Sequence, residues 1–442
     1  MRFAPMVHGL VLAAALRAAA LGPHEILLLA NESSPLSIEI ANRYARDRGV
    51  PPENVVRLAL PDSVRAAEAE ITLEDFRGRI LKPAREAVAA RGLGDRILAW
   101  VYSADFPVRV KTQPPMSLHG ATFTRGEVPS PGIIATGLYA SVLFRGPVAP
   151  TGAMALSASL ETLAGALGER MPLPSMSLAY CGTRGTDRAT ALRVLDDGRR
   201  AGDDWRSGTV HLVVGADIRA RCRQWQFPQA AAELESLGMR VAVSSNFPAG
   251  ASGVAGVMMG LAGPDPSKVR SYAPGAMGEH LTSFGANFHT AGQTKITAWL
   301  RAGASTSAGT VVEPYSIWTK FPHARFFAHQ ARGCTLLECY AQSLMCPLQS
   351  FLVGDPLSAP GASGFKVRAE REDRAGRLAF RAATEPPSTN ATFMFLLDGS
   401  RVGLGSSRRI EVDAARLAGG HHRLRVVAYR GGLMKEDRKS VV

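Results

Sequence analysis

Continuous apolar runs alternate with amphipathic segments through the first 350 residues. Ile26–Ala30 is uninterrupted, as expected of a strand buried on both faces. Ser34-Pro35 then supplies a cap and a first-turn proline, and Ile38, Ala41, Tyr44 and Ala45 line one face of a predicted helix that Gly49 ends. Val55–Leu60 is the second strand. Leu73–Arg91 reads as a long amphipathic helix stopping before Gly92, and Ile97–Ser103 as the third strand.

From Arg109 to about Pro174 the pattern breaks into loops, an insertion at about 110–173 marked by Pro114-Pro115 and Ser130-Pro131-Gly132. Alternation resumes with a strand at Met176–Cys181, a helix at Thr186–Gly198 and a strand at Thr209–Val214. A helix at Gln226–Leu237 follows, then strands at Arg240–Ser244, Gly253–Met259 and Gly275–His280. A helix at Thr294–Ala302, a small-residue strand at Ala304–Val312 and two helices ending near Cys346 complete this part. Repeated β-α-β order predicts an α/β fold with a mostly parallel sheet and helices on both faces.

After Gly354-Asp355-Pro356, which reads as a turn closing the α/β part, the period changes. Residues 359–364 form a linker, and five short strands follow at Phe365–Ala369, Leu378–Ala382, Thr392–Leu397, Arg409–Val412 and Leu424–Tyr429. The expected organisation is a signal-like segment at 1–21, an α/β domain at 22–358, and a small C-terminal all-β, immunoglobulin-like module at 365–442.

Composition adds exclusions. With 442 residues, 46% hydrophobic and 20% charged, the chain has material for a core and no disordered, fibrous or polytopic signature. The net charge is +13, from 43 arginines and 8 lysines against 38 acidic residues, yet no basic block of the kind that marks a nucleic-acid arm occurs. Cys181, Cys222, Cys334, Cys339 and Cys346 show no CxxC spacing, so zinc-ribbon and dithiol redox motifs are not supported and buried thiols are expected. Residues 1–21, with Arg2, the apolar Val7–Ala15 and Ala18-Ala19-Ala20, resemble a secretory signal. The expectation is export to the periplasm, envelope or outside, or a cytoplasmic location if that segment does not function. The uncharged Val241–Pro264 stretch is interrupted by Ser244-Ser245-Asn246 and Pro248. It reads as two strands rather than a membrane span, so no transmembrane segment is expected in the mature chain.

The block Asn31–Leu58 resembles an uncharacterised bacterial family, mostly exported, that recurs in genomes encoding exosortase. Further matches are Ser103-Ala-Asp-Phe-Pro-Val-Arg109, Gly278-Glu-His-Leu-Thr-Ser-Phe-Gly285, Gly309-Thr-Val-Val-Glu-Pro-Tyr315 and Val353-Gly-Asp-Pro-Leu357. More distantly, the order of strands, loops and the Gly-Asp-Pro resembles the caspase-like fold of gingipain-type cysteine peptidases. That likeness implies a His-Gly pair ending one core strand and a Cys ending the next, a thiolate beside its base. The matching strands end Val257-Met258-Met259-Gly260, without histidine, and Gly278-Glu279-His280-Leu281-Thr282-Ser283, without cysteine. The usual dyad is absent. The resemblance therefore implies a non-classical or inactive peptidase relative, with a non-enzymatic envelope or matrix protein as the alternative.

Candidate chemistry clusters at strand ends, where open α/β sheets bind ligands. His280 could activate the Thr282 or Ser283 hydroxyl, with Glu313 or Glu279 orienting it; ligand binding without chemistry and a structural histidine are equally open. Thr310 and Tyr315 flank Glu313, whose alternative roles are a cap or a partner for Arg325. Arg109 could face a ligand or pair internally with Asp105. Glu279, Thr310, Tyr315, Arg109 and His323 are the candidate ligand contacts, with a surface or supporting role the alternative for His323, and His289 is weaker still. Gly182–Thr186 precedes a helix and could cradle an anion, although a plain turn explains it as well. HExxH, EF-hand and GxSxG motifs are lacking, so neither metal nor cofactor is expected. The expected partner is a protein or peptide in the cell envelope, not nucleic acid; the oligomeric state is not readable.

Overall fold

The computed structural model describes residues 21–61, 70–362, 366–374, 377–389, 391–398, 400–413, 417, 422, 424–430 and 434–440. The signal-like segment, except Leu21, and part of the 359–364 linker lie outside these residues.

The strands of the α/β part, in chain order, are β1 Ile26–Asn31, β2 Val55–Leu58, β3 Glu70–Thr72, β4 Ala99–Tyr102, β5 Arg109–Lys111, β6 Met116–Ser117 and β7 Ser175–Ser177. They continue as β8 Thr209–Val213, β9 Arg240–Ser244, β10 Val254–Gly260, β11 Tyr272–Leu281, β12 Thr306–Thr310 and β13 Ser350–Gly354. Ten of them form one sheet in the order β2-β1-β4-β7-β13-β12-β11-β10-β8-β9, while β3, β5 and β6 form a small separate sheet. Every neighbouring pair in the large sheet is parallel except β12 with β13. The sheet is thus two parallel halves of opposite direction, joined along one antiparallel seam.

Side-chain alternation puts helices on both faces, as the sequence predicts. Ile26, Leu28 and Ala30 pack with Ile40, Ala41 and Tyr44 of the helix Pro35–Arg48. Their neighbours Leu27 and Leu29 pack on the other side with Phe76, Ile80 and Ala84. The predicted 73–91 helix is a continuous helical run whose Phe76–Leu81 section is wound as a π-helix. Asp355 does more than turn the chain: fully buried, it accepts from the Tyr44 hydroxyl at 2.9 Å and pairs with Arg48, fastening that helix to the end of β13.

At the carboxyl end of β10, Gly260 lies against the main chain of Arg219. A Cβ there would fall inside contact distance of that carbonyl group, and backbone cannot swing aside as a side chain can. Gly260→Ala is expected to destabilise the fold by about 1–3 kcal/mol, the usual cost of overpacking. A melting temperature unchanged in thermal denaturation would contradict this.

The C-terminal part corrects the expected strand count. Among the described residues there are seven strands instead of five: β14 Lys366–Arg374, β15 Arg377–Glu385, β16 Ala391–Leu397, β17 Ser400–Gly405, β18 Arg409–Asp413, β19 Leu424–Arg430 and β20 Met434–Ser440. They form two antiparallel sheets, β14-β15-β18 and β17-β16-β19-β20. Val367 and Ala382 of the first sheet pack on Phe393, Phe395 and Val426 of the second. This is a small sandwich of the immunoglobulin-like kind. Among the described residues no helix is long and apolar enough to cross a membrane.

Candidate functional site

Because β8, β10, β11 and β12 run parallel, the loops that follow them gather at one edge of the sheet. Thr282 and Ser283 follow β11 there, and Glu313, Pro314 and Tyr315 follow β12.

His280 is fully buried near the end of β11. Its Nδ1 accepts the indole proton of Trp299 at 2.9 Å, so the ring proton sits on Nε2, which donates to the Thr294 carbonyl at 2.9 Å. Both nitrogens are committed, and burial lowers its pKa to about 4, with Arg223 and Lys295 adding to the effect. The ring is a neutral brace between β11 and the Ile296–Ala302 helix, with no lone pair directed at a hydroxyl. Thr282 instead donates to Gln293 Oε1 at 2.7 Å, and the Phe284 amide donates to the same oxygen at 2.9 Å. Ser283 is partly buried in the turn between them.

The other sequence-predicted residues scatter. Glu279 points to the opposite side of β11 from His280 and is sealed against Arg223 at 2.5 Å. Burial pushes its carboxyl up to about 7, against the pull of the guanidinium. Glu313 Oε1 accepts from the Tyr315 amide at 2.9 Å, closing its own turn, in which Tyr315 and Ser316 have φ of 59° and 54°. Arg325, a candidate partner for Glu313, pairs with Glu233 at 2.7 Å. Thr310 is buried, with its hydroxyl unpartnered among the described residues. Arg109 pairs with Glu70 rather than Asp105. His323 is buried among Phe144, Trp225 and Trp318, its Nδ1 accepting from the Arg325 amide at 3.1 Å. Burial drives its pKa to about 3, with Arg325 and Arg223 reinforcing the shift.

All five cysteines are free thiols: Cys334, Cys339 and Cys346 are buried, Cys181 and Cys222 partly so. Burial raises the Cys181 thiol to about 11 and also raises that of Cys222. These two, the most accessible, are not set up as thiolates. Among the described residues no group of acidic, histidine and cysteine side chains is arranged to hold a metal.

What sequence reasoning missed is an open cleft of about 550 Å³ beside the ends of β10 and β11. Arg184, Gln293, Thr294, Lys295 and Arg301 line it, with Gly263 and Gly292, and no carboxylate does. Arg184 Nη1 donates to the Phe288 carbonyl at 2.7 Å and Arg301 Nη1 to the Gly185 carbonyl at 2.6 Å. Lys295 Nζ donates to the Phe284 carbonyl at 2.8 Å. Burial, and then the charge of Arg184, lower the Lys295 pKa to about 8. None of the three cations forms an ion pair with a described residue, whereas Arg43, Arg188, Arg193 and Arg325 all do. The one sequence signal was the Gly182–Thr186 turn, which carries Arg184 at φ 57°. A second overlooked pair is Ser157 with His329, joined at 2.7 Å through Nδ1; His329 is fully buried and its Nε2 meets no carboxylate to orient it.

No protein-family model and no curated protein matches the chain. Among solved structures, the Arg-specific cysteine proteinase gingipain R aligns with 86% of this chain and 99% of its own, at 10% identity and a TM-score of 0.47. A structure described as a protease aligns with 95% and 97%, at 10% identity and a TM-score of 0.48.

Proposed function

We propose that this chain is an exported, peptidase-like protein that works without a Cys/His dyad, and that it binds an anionic group of a protein or peptide ligand in the cell envelope. The observation that carries this reading is the cleft itself. Three cations that form no direct ion pair with a described residue line it, although Arg301 feels the charge of Asp187, and the adjacent histidine has both nitrogens occupied. Cations placed around a concave site without counter-charges favour a carboxylate or phosphate, and guanidinium groups do so bidentately. Export and kinship to the exosortase-associated family rest on the sequence resemblance. In this reading Thr282 positions the cleft-lining Gln293 rather than attacking a substrate.

The test is fluorescence polarisation with peptides rich in Asp and Glu, alongside a peptide and ester turnover assay. Binding is expected, without turnover above that of the Ser283→Ala variant. Arg184→Ala and Arg301→Ala should each weaken binding about tenfold or more, the worth of one charged hydrogen bond. Affinity should also fall as pH rises from about 7 to about 9, because Lys295 loses its proton near pH 8. Turnover abolished by Ser283→Ala would replace this reading with a hydrolase, and binding indifferent to both arginines would remove the cleft from it.

A further inference from the structure

The insertion between β6 and β7 exposes apolar surface. Leu138 and Leu156 are 73% and 68% exposed, and Val142, Val148 and Met154 stand out beside them. From Val128 to Leu160 the sequence holds one charged residue, Arg145, in a chain that is 20% charged.

The segments that carry these side chains lie together. Arg325 Nη1 donates to the carbonyls of both Arg145 and Ala155. The Arg145 amide donates to the Gln342 carbonyl at 2.9 Å and the Ala158 amide to its side chain at 2.8 Å, so the two arms of the insertion lie side by side. Thr319 and Lys320 hold the carbonyls of Gly137 and Ala135, each at 2.8 Å, which sets Leu138 beside the Trp318–Lys320 turn. The patch meets an aromatic rim there. Phe144 lies 6.2 Å from Trp318, Trp318 lies 5.4 Å from Trp225, and Tyr315 is 72% exposed. Exposed Ile218 and Arg221 lie on the short helix just before Trp225.

We infer that this face docks on an anionic lipid bilayer, its aliphatic centre entering the interface. Three observations select lipid over a protein partner. Aliphatic side chains edged by Trp and Tyr match the polarity gradient of a bilayer surface. Arg221 at the margin, on a chain of net charge +13, complements anionic headgroups. A stretch of 33 residues with a single charge offers a protein partner almost nothing to fix its register electrostatically.

The test is co-sedimentation with vesicles of phosphatidylcholine, alone or with phosphatidylglycerol, read together with tryptophan quenching by brominated lipid. The protein is expected to pellet with the phosphatidylglycerol vesicles, less so at high salt, with its tryptophans quenched. Leu138→Glu and Leu156→Glu together should weaken this about tenfold or more through lost burial alone. Leu404→Glu, equally disruptive to an exposed apolar residue in the β module, should leave it unchanged, and all variants should keep the wild-type melting temperature. Absence of pelleting, or pelleting equal in the double variant, overturns the inference. Self-association in analytical ultracentrifugation that the double variant abolishes, with vesicle binding unaltered, also overturns it and makes the face a contact between copies.

Discussion

Acidification from about pH 7 to about pH 4.5 is expected to unfold the chain cooperatively, well before the bulk of its carboxylates are neutralised. His119, His280, His323 and His329 are buried in the neutral form. Burial lowers His119 to about 3, His280 to about 4 and His323 to about 3, and takes His329 well below its ordinary value. The unfolded chain takes up a proton at each below about pH 6.5 and the folded chain does not, so stability is full above that pH and is lost as pH falls. Each contributes roughly 1.4 kcal/mol per pH unit. Glu279, raised to about 7, acts in the opposite sense across the same interval, since the fold binds its proton more tightly than the unfolded chain does. The net is about three protons, or about 4 kcal/mol per pH unit, against a total stability of about 5–15 kcal/mol. Circular dichroism at stepped pH checks this, and His280→Gln should make the slope shallower by about one proton. A stability, measured by urea denaturation, that does not fall between about pH 6.5 and about pH 4.5 would refute the assignment of these histidines as neutral.

The largest expected effect of a single substitution is at Arg223. Its guanidinium holds Glu279 at 2.5 Å and the Pro322 carbonyl at 2.6 Å, all without solvent. Arg223→Met strands the carboxylate in the core and is expected to cost about 3–5 kcal/mol at pH 7.5 or above, where Glu279 is ionised. The penalty should shrink at about pH 6, where the fold holds Glu279 protonated. Replacing both residues by methionine should recover most of the loss, because buried pairs barely repay their desolvation. Urea denaturation of the two single variants and the double variant measures the coupling. Additive losses would show that the two side chains do not act as a pair.

The α/β elements were legible where the signal is local. Arg240–Ser244 is a strand to the residue, and Ile26–Ala30 falls one residue short of β1. Where a strand draws its identity from its neighbours, the reading strayed. Met176–Cys181 shrank to Ser175–Ser177 and shifted, since β7 pairs with β13 at a single aligned position, and its apolar continuation Leu178–Tyr180 serves packing instead. The strands Ser400–Gly405 and Met434–Ser440 were missed because the first is glycine-bearing and the second almost wholly polar, held by ladders to β16 and β19 rather than by an apolar period. At the site, proximity in sequence suggested Glu279 as a partner for His280, but neighbours on a strand face opposite sides, and Glu279 pairs with Arg223 instead. Proximity could not show that Thr294 and Trp299 return to occupy both ring nitrogens. The cleft brings Arg184 to Lys295 and Arg301, which belong to one short helix and its cap more than a hundred residues further along, a convergence no local pattern announces.

The antiparallel seam has a consequence for the order of assembly. Ser177 on β7 pairs with Val353 on β13, whose other edge takes β12. The amino-terminal half of the sheet therefore stays open along β7 until a strand from near residue 350 arrives, and the second half stays open along β12 for the same reason. Neither half is a self-contained folding unit. A chain emerging vectorially, from a ribosome or through a translocation pore, carries two unsatisfied strand edges until β13 slots between them. This last insertion is the most non-local step of the fold and the period of greatest exposure to misassociation.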